Sequence, residues 1–260
     1  MQLAAAPLAR EAIPAVESSA WAPFLAAWVH EAFVRARAAQ RVPKRTRGAR
    51  THDAVACGVA PSEHAGRLRA AHWHTRASRH RVPYDAFVRG LFDNHTPNER
   101  EYIESLASVM CVDALQPPLV GVWDNAYRLP WPTSHRDFVE LVFCIPLPPH
   151  AEPFSEAHEQ RAMELAPWLP GAAPVPAPAA GERRAFLVLS QPVAYAPLPG
   201  HLRAYYASVE AVHEVAADET EWLMTVQTDS AGWVPLWLQE RMMPAKIAED
   251  VPSFLAWLRP

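Results

Sequence analysis

Between Ala71 and His80 (AHWHTRASRH) polar side chains recur at every second residue: His72, His74, Arg76, Ser78 and His80. On a strand, alternate residues share one face, so these groups would form one polar strip. Two histidines at i and i+2 can share a metal ion. Neither a carboxylate nor a cysteine stands at helpful local spacing, and no metal site is expected. The strip reads as a cavity floor or an exposed sheet edge. Glu210 and Glu221 fall on two later strand-like segments and could face each other or the cavity. A buried Glu would need a partner such as Arg203 or His213, because an unpaired buried charge is expensive. Arg136 and Asp137 are adjacent, so on a strand they point to opposite faces and cannot form one catalytic pair. Each reads as fixing a turn or a neighbouring strand.

Nucleophile and nucleotide motifs are missing. GxSxG, GxxxxGK[ST], HExxH and GxGxxG do not occur, and Ser78 near His80 does not by itself make a nucleophile–base pair. Catalysis would have to rest on Arg76, His80, Glu210, His213 and Glu221. The expectation is a non-enzymatic protein that needs no cofactor.

The chain has 260 residues, half of them apolar, so a sizeable core is available. Its net charge of -4 offers no basic field for phosphates, and nucleic acid is not an expected partner. Pro is abundant at 27 and Gly scarce at 9, which implies stiff, extended loops. The 10 Trp suit a core or a ligand wall. Cys57, Cys111 and Cys144 are far apart and odd in number, which argues against a disulfide framework or a zinc cluster and for a reducing, cytoplasmic setting. No apolar run reaches the length of a membrane span, and the start lacks the pattern of a secretory signal.

The elements that would position these residues follow from periodicity. Ala20 to Gln40 reads as a helix with Trp21, Phe24, Leu25, Trp28, Ala32 and Phe33 on one stripe. The basic run Arg41 to Arg50 reads as a solvated linker, or as a nuclear signal or a patch for anionic lipid. Thr51 to Gly66 shows no periodicity and reads as loop. Helices follow at Tyr84 to Phe92 and Thr96 to Ile103, the second with Thr96 as cap and Pro97 at the first helical position. Candidate strands run Ser105–Asp113, Val120–Arg128, Asp137–Ile145, Arg184–Tyr195, Leu202–Val215 and Glu221–Thr228, an antiparallel meander. Residues 146–182 interrupt it. They are rich in Pro and Ala, carry a short helix near Glu156 to Leu165, and read as a mobile excursion. At the end, Trp233, Leu236, Trp237, Met243, Ile247, Val251, Phe254 and Leu258 step by three or four residues, one face of a long helix. Trp233 and Trp237 are expected to look inward, either as packing or as cavity wall. Pro244 and Pro252 interrupt the ladder and would kink or segment the helix.

The step Arg136-Asp137-Phe138, followed by further strands and then by Asp229, Gly232, Trp233 and Pro235 opening the last helix, resembles the START lipid-transfer superfamily. More narrowly, Trp73 with Arg76, Ser78 and His80, then YASVE (Tyr206 to Glu210) and EWLMT (Glu221 to Thr225), resemble a fungal branch of START-like domains without assigned function. The resemblance covers roughly residues 71–258 and leaves 1–70 as a helical extension with a basic linker. It implies an α+β helix-grip fold, in which a curved antiparallel sheet wraps the C-terminal helix around an internal tunnel. Such a tunnel would hold a hydrophobic ligand such as a lipid, sterol or fatty acid. Its wall would include Leu236, Met243 and Ile247 beside the two tryptophans, with Phe138, Val142, Met224 and Tyr206 from the strands and Arg76 and His80 from the polar strip. The loop Ala196 to His201, with Pro197, Leu198, Pro199 and Gly200, would lie at the mouth as a gate. Sterol-binding relatives often carry an Arg six residues after Arg136. Here that position is Val142, so that anchor is absent. Transient docking on anionic membrane would accompany transfer. The competing readings are an enzyme of the same scaffold, cyclase- or hydrolase-like, and a ligand-free interaction module.

Overall fold

A computed structural model describes residues 1–47, 55–60, 72–130, 133–233 and 235–259. It contains ten strands and five α-helices among those residues. In chain order they are α1 (Trp21–Arg41), β1 (Arg45–Arg47), β2 (Val55–Ala60), β3 (Trp73–His80), α2 (Tyr84–Phe87), α3 (His95–Tyr102), β4 (Leu106–Gln116), β5 (Val120–Tyr127) and β6 (Arg136–Pro146). Then come α4 (Glu156–Leu165), β7 (Ala185–Pro192), β8 (Leu202–Arg203), β9 (Tyr205–Ala216), β10 (Glu219–Asp229) and α5 (Leu236–Trp257). The main sheet runs β1-β2-β3-β10-β9-β7-β6-β5-β4, with β8 lying parallel beside the start of β6. All the other pairings are antiparallel. This is an α+β helix-grip arrangement, an open, curved sheet wrapped around the long C-terminal helix.

Alternation along the strands builds two cores. On β9 and β10, Val212, Glu210, Ser208 and Tyr206 share a face with Trp222, Met224 and Val226. Trp222 and Val212 pack there with Val251, Phe254 and Leu255 of α5. The opposite face carries Val209, Ala211, Leu187, Leu189, Val139 and Leu141, which share one core with Trp21, Phe24, Leu25, Trp28, Val29, Ala32 and Phe33 of α1. Both faces are therefore covered, and all of β7 is buried. The α1 stripe has its expected residues. What the sequence left open was its partner, the outer face of the sheet.

Two local expectations are corrected. Val55–Ala60 lies in a stretch read as loop, yet it pairs with β3. Its register comes from an edge that only the three-dimensional sheet supplies. The rest of that stretch, like Arg50 of the basic run and Ala71 of the first strand, lies outside the described residues. The helix after Asn94 starts at His95, because Asn94 takes a left-handed conformation (φ 50°). Thr96 is therefore inside the first turn rather than capping it. The Tyr84–Phe92 helix is present, but its second half, Val88–Phe92, is a π-type turn.

The excursion is also corrected in part. Its Pro and Ala composition suggested mobility, but Phe154, His158, Ala162 and Trp168 are buried. Ser155 caps α4 by accepting the His158 N–H at 3.1 Å. The longest exposed run of the excursion is 171–181, where Ala172 alone is half-buried. His158 is held on both ring nitrogens. The Phe154 N–H donates to Nδ1 at 2.9 Å, and Nε2 donates to the Pro148 carbonyl at 2.8 Å. Burial, helped by nearby His150 and Arg161 and opposed by the Pro148 carbonyl, pushes its pKa down to about 4. An unfolded histidine protonates near 6.5. Between those values the unfolded chain binds a proton that the folded chain does not, so stability must fall as pH falls from about 6.5 to about 4. The expected loss is on the order of 3 kcal/mol. Urea midpoints from pH 7.5 to 4.5, with the His158 ring followed by NMR, check it. A ring that titrates near 6.5 in the folded protein would disprove it.

Candidate functional site

The concave side, between the sheet and α5, carries an unusual amount of polar chemistry. Arg76 on β3 is 1% exposed, and its guanidinium lies 3.7 Å over the Trp222 ring of β10. Its Nη2 is 3.9 Å from Oε2 of Glu210 on β9, and the Trp222 indole N–H donates to that same oxygen at 2.6 Å. Arg76 Nε and Nη1 have no hydrogen-bond partner. Next along β3, Ser78 and His80 are hydrogen-bonded at 2.7 Å, and His80 stacks on Phe87. From above, α3 adds His95, Glu99 and Tyr102, and α5 adds Asp250. Burial, with Glu210 and Asp250 adding repulsion and His95 opposing, pushes the Glu99 carboxyl up to about 7. Burial likewise raises Asp250 to about 6, although Arg76 opposes it. Behind these groups an aromatic plug of Phe87, Trp222, Phe254 and Tyr102 closes the space, with ring centroids 5.1–5.9 Å apart. Toward the other end the wall turns apolar, with Met224, Val226 and Ile247 packed beside Tyr206 and Met243.

At that other end Arg136 and Asp137 divide the work. Arg136 is 2% exposed and donates through Nε to the Ser230 carbonyl at 2.6 Å, and through Nη2 to the Ala231 carbonyl at 3.4 Å. It therefore holds the turn that opens α5. In that turn Gly232 (φ 76°) presses so close to Arg136 and Leu202 that a Cβ would lie 3.1 Å and 3.3 Å from them. Asp137 holds the loop Ala196 to His201. It accepts the Leu198 N–H at 2.7 Å, and Arg203 donates to both its oxygens at 2.6 and 3.2 Å. Arg203 also donates to the carbonyls of Tyr195 and Ala196. The two residues point to opposite sides, as strand alternation requires, and each fixes one neighbouring loop.

Residues 73–258 match the family described as Protein of unknown function (DUF3074). The chain belongs to this family. Uncharacterized protein C577.11 of Schizosaccharomyces pombe is 27% identical over 92 residues, which span 35% of this chain and 38% of that relative. Among solved structures, human StAR-related lipid transfer protein 5 superposes with a TM-score of 0.61 at 13% identity, over 93% of this chain and 96% of that one. Human STARD10 gives 0.58 at 15% identity, over 86% and 78%. A STAR-related lipid transfer protein from Xanthomonas axonopodis gives 0.56 at 15% identity, over 84% and 99%. The DUF3074 domain thus has the START fold.

Within this DUF3074 chain the residues picked out from sequence fall into three groups. Arg76, His80, Val142, Met224 and Ile247 are buried on the concave side, where Phe138, Tyr206, Leu236 and Met243 are half-buried. In the loop Ala196 to His201, Pro197, Pro199 and Gly200 are exposed and Leu198 half-buried. Trp233 and Trp237, expected to look inward, are 67% and 66% exposed. The cause is helical phase. Trp233 precedes the helix, and at 3.6 residues per turn Leu236, Glu240 and Met243 fall within about 40° of Ile247, whereas Trp237 lies about 80° away. Glu240, on the inward line, binds the polar strip instead. It accepts from the His72 backbone N–H at 2.8 Å and is bonded to the rings of His72 at 3.0 Å and His74 at 2.8 Å.

Glu221 and Glu210 do not face each other. Glu221 pairs with Arg79 at 2.7 Å, and its strand register sets it beside His213, whereas Glu210 sits beside Met224. Sequence reasoning missed His95, Glu99, Asp250 and Glu240. Their signal was weak. His95 and Glu99 share a helix face at i and i+4, but nothing in the sequence sets that face over β9.

Proposed function

We propose that this domain binds a hydrophobic small molecule, a lipid, sterol or fatty acid, between the sheet and α5, and that it moves such molecules between membranes. The observation that carries the proposal is the layered concave wall beneath the closing helix. It has an aromatic plug, then a polar floor at Arg76, Glu210 and Glu99, then an apolar stretch at Met224, Val226 and Ile247 leading to the loop at Ala196 to His201. That order suits a molecule with one polar end directed inward. Trp123, Tyr127, Phe138 and Tyr206 on this wall are only half-buried, yet burial raises the Tyr127 and Tyr206 hydroxyls well above their ordinary range. Side chains enclosed by protein but not fully packed suit an interior with room for a guest. The names of the similar solved structures, lipid transfer proteins, support the same reading, and the fission-yeast relative supports a fungal branch. We take 71–260 as the binding unit and 1–70 as an extension whose α1 packs on the outer face and whose β2 pairs with β3.

A binder is favoured over an enzyme because the converging groups are already engaged with one another. Glu210 is tied to Arg76 and Trp222, and Ser78 to His80. Among the described residues no helix is long and apolar enough to cross a membrane, so membrane contact would be peripheral, at the gate-loop end and the basic run Arg41 to Arg50. Native mass spectrometry of the purified chain, with extraction and identification of any bound molecule, tests the proposal. A stoichiometric amphiphile is expected. A chain that carries none, and takes up none from vesicles containing sterol, fatty acid and phospholipid, would overturn it.

A further inference from the structure

The polar floor contains an arrangement that a lipid does not explain. His95, Glu99 and Glu210 each offer a ligand atom, and these atoms lie within 4.8 Å of one another. His95 and Glu99 stand at i and i+4 on one face of α3, and Glu210 reaches them from β9. His95 Nδ1 is 2.7 Å from the Leu91 carbonyl. A carbonyl can only accept, so Nδ1 carries a proton, and in the neutral ring this leaves Nε2 with the lone pair a metal ion needs. That nitrogen is 5% exposed with the rest of its residue and faces Glu99 Oε1 at 3.6 Å, beyond hydrogen-bond reach. Glu210 is oriented in the same way. Its Oε2 takes the Trp222 N–H and lies nearest Arg76, which leaves Oε1 for the cluster. An imidazole whose far nitrogen donates to a carbonyl, and a carboxylate steadied by an indole N–H, are the supports that metal ligands commonly receive.

We infer that His95, Glu99 and Glu210 bind one divalent first-row cation of zinc's class, joining α3 to β9 beneath α5. A nitrogen and two carboxylates converge here from two elements. Bonds of about 2.0–2.2 Å to the ion would draw the three atoms together by small side-chain rotations. Charge balance agrees. The buried carboxyls Glu99, Glu140, Glu210 and Asp250 outnumber the one buried guanidinium among them, Arg76, and a divalent ion would offset part of that excess. The inference does not depend on what the tunnel carries.

The test uses the full chain, stripped with a chelator and desalted, then titrated with zinc by calorimetry and with cobalt by visible absorption. One ion per chain is expected, with the d–d bands of a low-coordinate nitrogen–oxygen site and a rise in the thermal midpoint. Glu99→Gln keeps the volume and removes a ligand, so it should weaken binding at least tenfold and abolish both the bands and the thermal rise. His95→Gln should do the same. The double substitution of His72 and His74 by Ala, on the separate Glu240 cluster, should leave all three readouts intact. No saturable site in the wild-type chain overturns the inference. So does a site that survives Glu99→Gln and His95→Gln, or one lost with His72 and His74. Should either glutamine variant fail to fold, the wild-type cobalt spectrum decides, since ions held loosely at the surface keep the spectrum of the hydrated ion.

Discussion

Asp137→Ala is expected to destabilise the domain by about 3–5 kcal/mol, the usual result of removing one partner from a buried ion pair. Asp137 is fully buried, and Arg203, its partner at 2.6 Å, is 8% exposed at the side chain. Alanine would strand a guanidinium and also orphan the Leu198 N–H. Asp137→Asn keeps an acceptor for that N–H and should cost less. Burial alone would raise the Asp137 carboxyl, but the Arg203 hydrogen bonds and the Leu198 N–H outweigh it and hold the carboxyl below its ordinary range. The sign follows. The contribution is complete above the ordinary Asp value of about 3.9 and is lost as pH falls through the lower folded value. The cost of Asp137→Ala should therefore be the same at pH 7 and pH 5 and shrink only in acid. Urea denaturation measures the cost, and hydrogen exchange at Leu198 to Leu202 reports the loosened loop. A loss below about 1 kcal/mol, with unchanged exchange, would show that Arg203's bonds to the Tyr195 and Ala196 carbonyls suffice on their own.

The same residues mark what could be read from the chain. Arg136 and Asp137 were legible as two anchors on opposite faces because strand alternation is local. The strands of the meander were legible for the same reason, as was the second half of α5, where Ile247, Val251 and Phe254 keep helical spacing and are buried. The partner of Glu210 was not. Arg76 lies more than a hundred residues away on β3, and β10 lies between β3 and β9. No local rule says that the first long strand closes against the last, so Arg203 and His213 looked equally suitable. Trp233 and Trp237 misled for a different reason. Hydrophobicity marks a residue as able to be buried, but the phase of a helix is set by where it starts. Here the turn fixed by Arg136 delays that start to Leu236. The helix of the excursion was legible at Glu156–Leu165, but its docking was not, because nothing local to the sequence shows that Phe154, His158, Ala162 and Trp168 are buried against the rest of the chain.

Phe254→Ala is expected to cost about 3–5 kcal/mol, because it empties the centre of the aromatic plug. Its ring lies 5.1 Å from Trp222, 5.2 Å from Phe87, 5.3 Å from Tyr102 and 6.1 Å from Trp257. It therefore ties α5 at once to β10, α2 and α3. The first half of α5 has no aromatic anchor of this kind and is tied down by the polar bonds of Glu240 to His72 and His74. Met243 is half-buried, so Met243→Ala should cost only about 1 kcal/mol. Amides of residues 236–243 should exchange before those of 247–257, so that the closing helix opens from its gate-loop end. Gly90 supplies a second, sharper test. A Cβ there would meet Phe254 Cε2 at 2.5 Å and Cζ at 2.7 Å, so Gly90→Ala alone should cost about 1–3 kcal/mol by overpacking. In the Phe254→Ala background both of those contacts disappear and only Trp257 Cζ3, 3.1 Å from the added Cβ, remains close. The cost of Gly90→Ala should then fall by at least about 1 kcal/mol between the two backgrounds. A double-mutant cycle in urea reads this directly. Simple additivity would mean that the π-type turn at Val88–Phe92 yields to the added methyl, and that Phe254 is not what sets its position.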